Sequence, residues 1–188
     1  EQHSTRLLFL LAGFSVAAWA SLVPVAKAAT GVNEGQLGLV LLCLGIGSLL
    51  AMPVSGVVST RHGCRKVLMV CGVALCACLP LLASVQNVFT LAAALFFFGA
   101  MIGTFDCVMN IQAVIVERDS KRPLMSGFHG FFSLGGLLGA ATTSTIMDLG
   151  VSPFATVSAI ALAGVLLLIG IRRHVLPYGN PAEGPPFA

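Results

Sequence analysis

Residues 37–85 read LGLVLLCLGIGSLLAMPVSGVVSTRHGCRKVLMVCGVALCACLPLLASV. Two apolar runs, Leu37–Val58 and Val67–Val85, flank a short break that holds Arg61, His62, Arg65 and Lys66. Each run is about the 20 residues an α-helix needs to cross a roughly 30 Å hydrocarbon core. The stretch therefore predicts two membrane spans joined by a basic turn. Working outward from it, four more runs of the same kind appear: Leu7–Ala26, Val88–Val116, Leu124–Met147 and Val151–Ile171.

The side on which the charges fall sets the topology. With the chain threaded through six spans, Arg6, Arg61, Arg65, Lys66, Arg118, Lys121, Arg122, Arg172 and Arg173 share one face, and Lys27 alone falls on the other. Lys and Arg are retained on the cytoplasmic side. Both ends and the loops 59–66 and 117–123 are thus expected to be cytoplasmic, with 27–36 and 148–150 external. Moving the threading by one span scatters the basic residues over both faces.

The composition agrees. Of 188 residues, 57% are hydrophobic and only 9% charged, against nearer 25% charge in a soluble domain. The net charge of +3 sits in loops and reads as topology, not as a surface for nucleic acid. Cys43, Cys71, Cys76 and Cys78 lie within apolar runs, Cys107 lies beside a polar stretch and Cys64 in a cytoplasmic loop, so disulfides are not expected. Cys71, Cys76 and Cys78 share a run without His or carboxylate and read as packing residues, not metal ligands.

Residue 1 is Glu, so the start of the gene product is expected to be missing. Arg6, the first apolar run and Ala26-Lys27-Ala28 resemble a secretory signal with a small-residue cleavage site. The run is longer than the 7–15 residues of a usual signal core, which favours a retained span. Pro177–Ala188 is rich in Pro and Gly without apolar period and reads as a linker. The expected division is a six-helix bundle over 1–176 and the start of a central cytoplasmic loop over 177–188.

The six runs differ in character. The first and fourth carry the residues least at home in a span: Ser15, Trp19, Ser21 and Pro24 in one, Thr104, Asp106, Asn110 and Gln112 in the other. The second and fifth are rich in glycine, which lets helix backbones approach closely. The third and sixth are almost wholly apolar and are expected to face lipid. The order polar, glycine-rich, apolar occurs twice and suggests an internal three-helix repeat, whose odd number of helices inverts its topology.

Asp106 stands out. It lies about eleven residues, roughly 16 Å along the axis, from the cytoplasmic end of its span. An ionisable group at that depth must face a cavity, find a partner or bind a proton, and intramembrane acids are functional by default. Asn110 is one turn further on the same face and Glu117 lies at the cytoplasmic rim. The bland alternative is a buried Asp bonded to a neighbouring helix. His129, near the start of the fifth run, has two readings: a group that titrates near neutral pH, or a hydrogen-bond partner for Asn110 or Gln112. Trp19 is either a cavity wall or a packing residue. Phe96, Phe97 and Phe98 read as packing.

Gly56-Val-Val-Ser-Thr60-Arg61-His-Gly63-Cys-Arg65-Lys66 in the turn between the second and third runs resembles the signature of the major facilitator superfamily. Gly56, Arg61, Gly63, Arg65 and Lys66 match, while Thr60 stands where that family usually has Asp. The resemblance covers the whole chain as the N-terminal half of a twelve-helix transporter. Gly103-Thr-Phe-Asp106-Cys-Val-Met-Asn110 and Met125-Ser-Gly-Phe-His129-Gly-Phe-Phe-Ser-Leu-Gly135 are similar to stretches of the fucose–proton symporter branch and its uncharacterised bacterial inner-membrane relatives. That branch has Glu in place of Asp106. It also has an acid in the first span, where this chain has Trp19-Ala-Ser21.

The fold class expected is an all-α membrane protein of six transmembrane helices arranged as two inverted three-helix repeats, half of a twelve-helix fold. The resemblance implies a secondary active transporter of a small solute in a bacterial inner membrane, proton-coupled through Asp106. It implies a substrate cavity drawing on Trp19, Ser21, Asn110, Gln112 and His129. It also implies a cytoplasmic gate in which Arg61 or Arg65 pairs with Glu117 when the carrier is closed to the inside. The partners are the solute, protons, membrane lipid and a second six-helix half. No cofactor, metal, nucleic acid or enzymatic activity is expected: no phosphate-binding Gly-Lys-Ser/Thr, His-Glu-x-x-His or Gly-x-Ser-x-Gly stretch occurs. The alternatives are a self-contained six-helix protein that dimerises as a carrier, and a membrane protein without transport function.

Overall fold

The computed structural model describes residues 1–179. Among them, six helices are long and apolar enough to cross a membrane: α1 (Gln2–Thr30), α2 (Glu34–His62), α3 (Cys64–Ser84), α4 (Val88–Ser120), α5 (Met125–Asp148) and α6 (Pro153–Ile171). A 3-10 turn, Arg172–His174, follows α6. No strand occurs among the described residues. Of the expected linker over 177–188, residues 180–188 lie outside the described residues.

Local chemistry sets the breaks. Gly31 ends α1 in the left-handed conformation, with φ 68° and its N–H bonded to the Lys27 carbonyl, as a glycine after a helix commonly does. Asn33 then starts α2 with a reciprocal cap. Its side chain accepts from the Gln36 N–H at 2.9 Å, and its own N–H reaches the Gln36 side chain at 3.0 Å. Lys27 and Glu34 form an ion pair across this turn. Asn87 caps α4 and Ser152 caps α6, with Pro153 at the first helical position.

The helices pack in two closely matched pairs, α1 with α5 and α2 with α4, while α3 lies against α4 and α6. Each paired seam closes on glycine. A Cβ on Gly13 would overlap the Phe132 carbonyl, and one on Gly135 the Leu10 carbonyl. In the other seam a Cβ on Gly99 would overlap the Leu44 carbonyl, and one on Gly47 the Phe96 carbonyl.

These contacts superimpose with a constant offset. Gly13 and Gly99, like Leu10 and Phe96, are 86 positions apart; Leu44 and Phe132, like Gly47 and Gly135, are 88 apart. A repeat that maps α1 onto α4 and α2 onto α5 must carry the α1–α5 seam into the α4–α2 seam, and these residues do so. The internal repeat is therefore present at the level of backbone contacts, with the direction of the helices inverted.

One expectation about the helices changes. α3 is not chiefly a lipid-facing helix: Cys71, Leu75, Cys76, Cys78, Leu79 and Leu82 are buried, and only a stripe including Val70, Val73 and Leu81 is exposed. It is wedged between α4 and α6, so apolar residues are needed on nearly every side. The glycine-rich α2 and α5 are instead the least buried of the six. Only one edge of each meets its partner. Gly38, Gly45, Gly56, Gly127 and Gly130 have open space where a Cβ would stand.

The buried side chains form two clusters along the membrane normal. One surrounds Phe9, Leu68, Phe105, Met109 and Phe128 towards the basic face. The other surrounds Trp19, Leu22, Leu79, Leu95 and Phe98 towards the opposite face.

Candidate functional site in the α4–α5 region

Asp106 and Asn110 project from one face of α4, as a spacing of four requires. Both are half-buried. The Asn110 amide donates to the Asp106 backbone carbonyl at 2.9 Å and to its carboxylate oxygen at 3.4 Å. His129 of α5 lies within electrostatic range of the Asp106 carboxylate. Its imidazole stands edge-on to Phe9 of α1, with ring centroids 5.3 Å apart, and Phe9 in turn stacks on Phe128 at 5.6 Å. A carboxyl and an amide thus lie hydrogen-bonded on one helix within a membrane-spanning bundle, with an imidazole of α5 in electrostatic range of the carboxyl. Such a group can accept and release a proton and can hydrogen-bond a polar solute.

The structure does not bring every expected site residue to this place. Gln112 is fully buried. Its amide nitrogen donates to the Thr5 hydroxyl at 2.9 Å and its oxygen accepts from the Leu176 N–H at 3.3 Å. Two residues beyond Asn110 is about 200° of helix rotation, so Gln112 points into the bundle and ties α1, α4 and the chain after α6 together. Trp19 is buried in the outer cluster, 6.4 Å from the Phe98 ring between centroids, and packs rather than lines a cavity. Ser21 lies half-buried at the outer end of the α1–α5 seam. Its hydroxyl donates to the Ala17 carbonyl at 3.2 Å, and the Ser144 hydroxyl reaches it at 3.5 Å.

The basic turn between α2 and α3 has a second role that the sequence did not disclose. α3 has no side-chain cap; its first N–H groups are satisfied by the chain after α6. The Cys64 N–H donates to the Tyr178 carbonyl at 3.3 Å and the Arg65 N–H to the Leu176 carbonyl at 2.8 Å. The Arg65 guanidinium donates through Nε to the Val175 carbonyl at 2.8 Å and through Nη2 to the Arg173 carbonyl at 3.2 Å. Gly63 adopts φ 79°, a region that favours glycine, and a Cβ there would overlap the Pro177 carbonyl. Pairing over more than a hundred positions, to backbone carbonyls, leaves no mark in local sequence.

The expected gate pair is not formed in this structure. Glu117 accepts the N–H groups of Leu124 and Met125 at 2.6 Å each. It thereby satisfies donors at the start of α5, where a carboxylate also meets the positive end of the helix dipole. Arg65 is engaged with the chain after α6, and Arg61 is exposed on the last turn of α2. Among the described residues the side-chain ion pairs are Lys27–Glu34 and Arg118–Asp119.

Comparison with known proteins places this arrangement. Residues 7–188 match the profile of the Major Facilitator Superfamily. An uncharacterized MFS-type transporter of Yersinia pestis is 49% identical over 188 residues, which is all of this chain and 49% of that protein. An uncharacterized transporter of Sinorhizobium fredii is 34% identical over 181 residues, covering 94% of this chain and 48% of its own length. The membrane protein MosC of Rhizobium meliloti is 31% identical over 170 residues, covering 90% and 40% respectively. The chain spans about half the length, or less, of these curated relatives. With six apolar helices, an inverted repeat of their seams and a family match along nearly the whole sequence, the chain belongs to the major facilitator superfamily.

Proposed function

We propose that this six-helix unit is the N-terminal half of a proton-coupled secondary transporter that moves a small solute by alternating access. The observation that carries the reading is Asp106 in mid-span on α4, held by Asn110 and within range of His129. Asp106 serves as the protonatable coupling residue; Asn110 and His129 border the solute path and share its hydrogen bonding. The likeness of these stretches to the fucose–proton symporter branch supports the coupling role. Arg61, Arg65 and Glu117 belong to the cytoplasmic gate region, with the motif turn holding the chain after α6.

The remaining parts follow from the same reading. The exposed flanks of α2 and α5 receive a second six-helix half, which completes the solute site between the two halves. Residues 1–176 form the bundle and 177–188 begin the connection to that half. The protein resides in the bacterial inner membrane with both ends of this segment on the basic, cytoplasmic side.

Asp106→Asn keeps shape and hydrogen bonding but cannot exchange a proton. In the full-length protein, reconstituted in vesicles, it abolishes uphill accumulation driven by a pH gradient and leaves equilibrium exchange of solute partly intact. Asp106→Glu retains some coupled uptake. Proton-driven accumulation by the Asn variant would assign Asp106 a structural role.

A further inference from the structure

Five basic side chains converge where α2, α3 and the end of α6 meet the basic face. His62, Arg65, Lys66, Arg172 and Arg173 border a cavity of about 480 Å³ whose membrane-side wall is Met69 and Val70. No carboxylate lines it, and none of the five forms an ion pair among the described residues. Arg65 spends two donors on the carbonyls of Val175 and Arg173, which fixes its guanidinium and leaves most of its five N–H donors for another acceptor. A second, apolar groove of about 210 Å³ adjoins the cavity, lined by Val58, Val67 and Val70 and sharing His62 and Lys66 with it. Val70 is well exposed, so this groove opens towards the hydrocarbon.

We propose that the cavity and groove together bind one anionic phospholipid of the adjacent leaflet, the phosphate in the basic cavity and an acyl chain in the groove between α2 and α3. Charge alone has a plainer explanation, since basic residues collect on this face to set topology. The arrangement goes further than topology requires. The basic side chains surround a concavity, no carboxylate lines it, and an apolar channel begins where a headgroup phosphate would end. Basic pockets between helices at this depth are suited to acidic headgroups. The site is independent of which solute is moved and of whether a proton is coupled to it.

The test uses the full-length protein released from vesicles of mixed phosphatidylglycerol and phosphatidylcholine, with retained lipid read by native mass spectrometry. Arg172→Gln with Arg173→Gln is compared with Lys121→Gln with Arg122→Gln, a pair of equal charge on the α4–α5 turn. Each basic residue near an acidic headgroup is worth about a factor of five. The first pair should therefore lower phosphatidylglycerol retention on the order of 25-fold and the second by less than about twofold. Lys66→Gln alone should lower it about fivefold, which keeps the test decisive if the double variant fails to fold. Equal loss in both pairs would mean that net charge alone attracts the lipid and would overturn the site, as would no loss in either. Displacement of the lipid by inorganic phosphate alone would reassign the cavity to a soluble anion and overturn the lipid reading.

Discussion

The α1–α5 and α2–α4 seams share one design and differ in what they carry. In both, glycines of each helix lie against carbonyls of the other, at positions related by constant offsets of 86 and 88. Applying these offsets to the polar group gives its counterparts in the first repeat. Ala20 stands for Asp106, Pro24 for Asn110 and Leu41 for His129. The backbone arrangement is duplicated and the chemistry is not. Packing requires only small residues at fixed places, which both copies retain, whereas a second carboxyl at mid-depth would add the cost of another ionisable group in the membrane.

The largest effect comes from moving the acid between the two copies. Asp106→Asn combined with Ala20→Asp places the carboxyl at the equivalent position of α1. Uphill accumulation should remain abolished, because Pro24 and Leu41 stand where the counterparts of Asn110 and His129 would be. Recovery of accumulation in vesicles would show that the repeat architecture alone makes the site.

The next effect tests whether the seams are equivalent in stability. Gly13→Leu and Gly99→Leu each drive a side chain into a backbone carbonyl of the facing helix. Each should cost about 3 kcal/mol or more and lower the unfolding midpoint in detergent to a similar degree. Gly45→Leu, which meets open space, should change stability by less than about 0.5 kcal/mol. A large difference between Gly13→Leu and Gly99→Leu would break the correspondence.

A smaller effect is expected at the basic turn, which has no partner of the same kind on the α5–α6 side. Arg65→Gln removes two bonds from a guanidinium to backbone carbonyls. Charged hydrogen bonds contribute about 1.5–3 kcal/mol each, reduced here by partial exposure to water, so the loss should be about 2 kcal/mol. Hydrogen exchange should then quicken at the amides of Cys64 and Arg65 while α1 and α5 stay protected. Unchanged exchange at those two amides would mean that the guanidinium does not hold the segment.

The six spans were legible because they depend on long apolar runs, a one-dimensional property. The helix pairing was not. Gly45 and Gly47 are two positions apart and alike by composition, yet only Gly47 meets a neighbouring backbone. α3 looked like a lipid-facing helix because a side chain buried against protein and one facing lipid are both apolar. Asp106 and Asn110 were legible as a pair through their helical spacing. Gln112 lies two residues beyond Asn110, a rotation that carries it into the bundle, and Glu117 accepts two backbone N–H groups that no local sequence pattern announces.

The fastening of residues 173–178 to the α2–α3 turn has a mechanical consequence. Four hydrogen bonds, two from backbone N–H groups and two from the Arg65 guanidinium, cross between the turn and this segment. A pull applied to the chain at Gly179 is therefore not borne by the last turn of α6 alone. It passes first into Cys64 and Arg65 at the start of α3, and from there into α4, against which α3 is packed. The segment acts as a tendon whose insertion lies on the helix next to the one that bears Asp106.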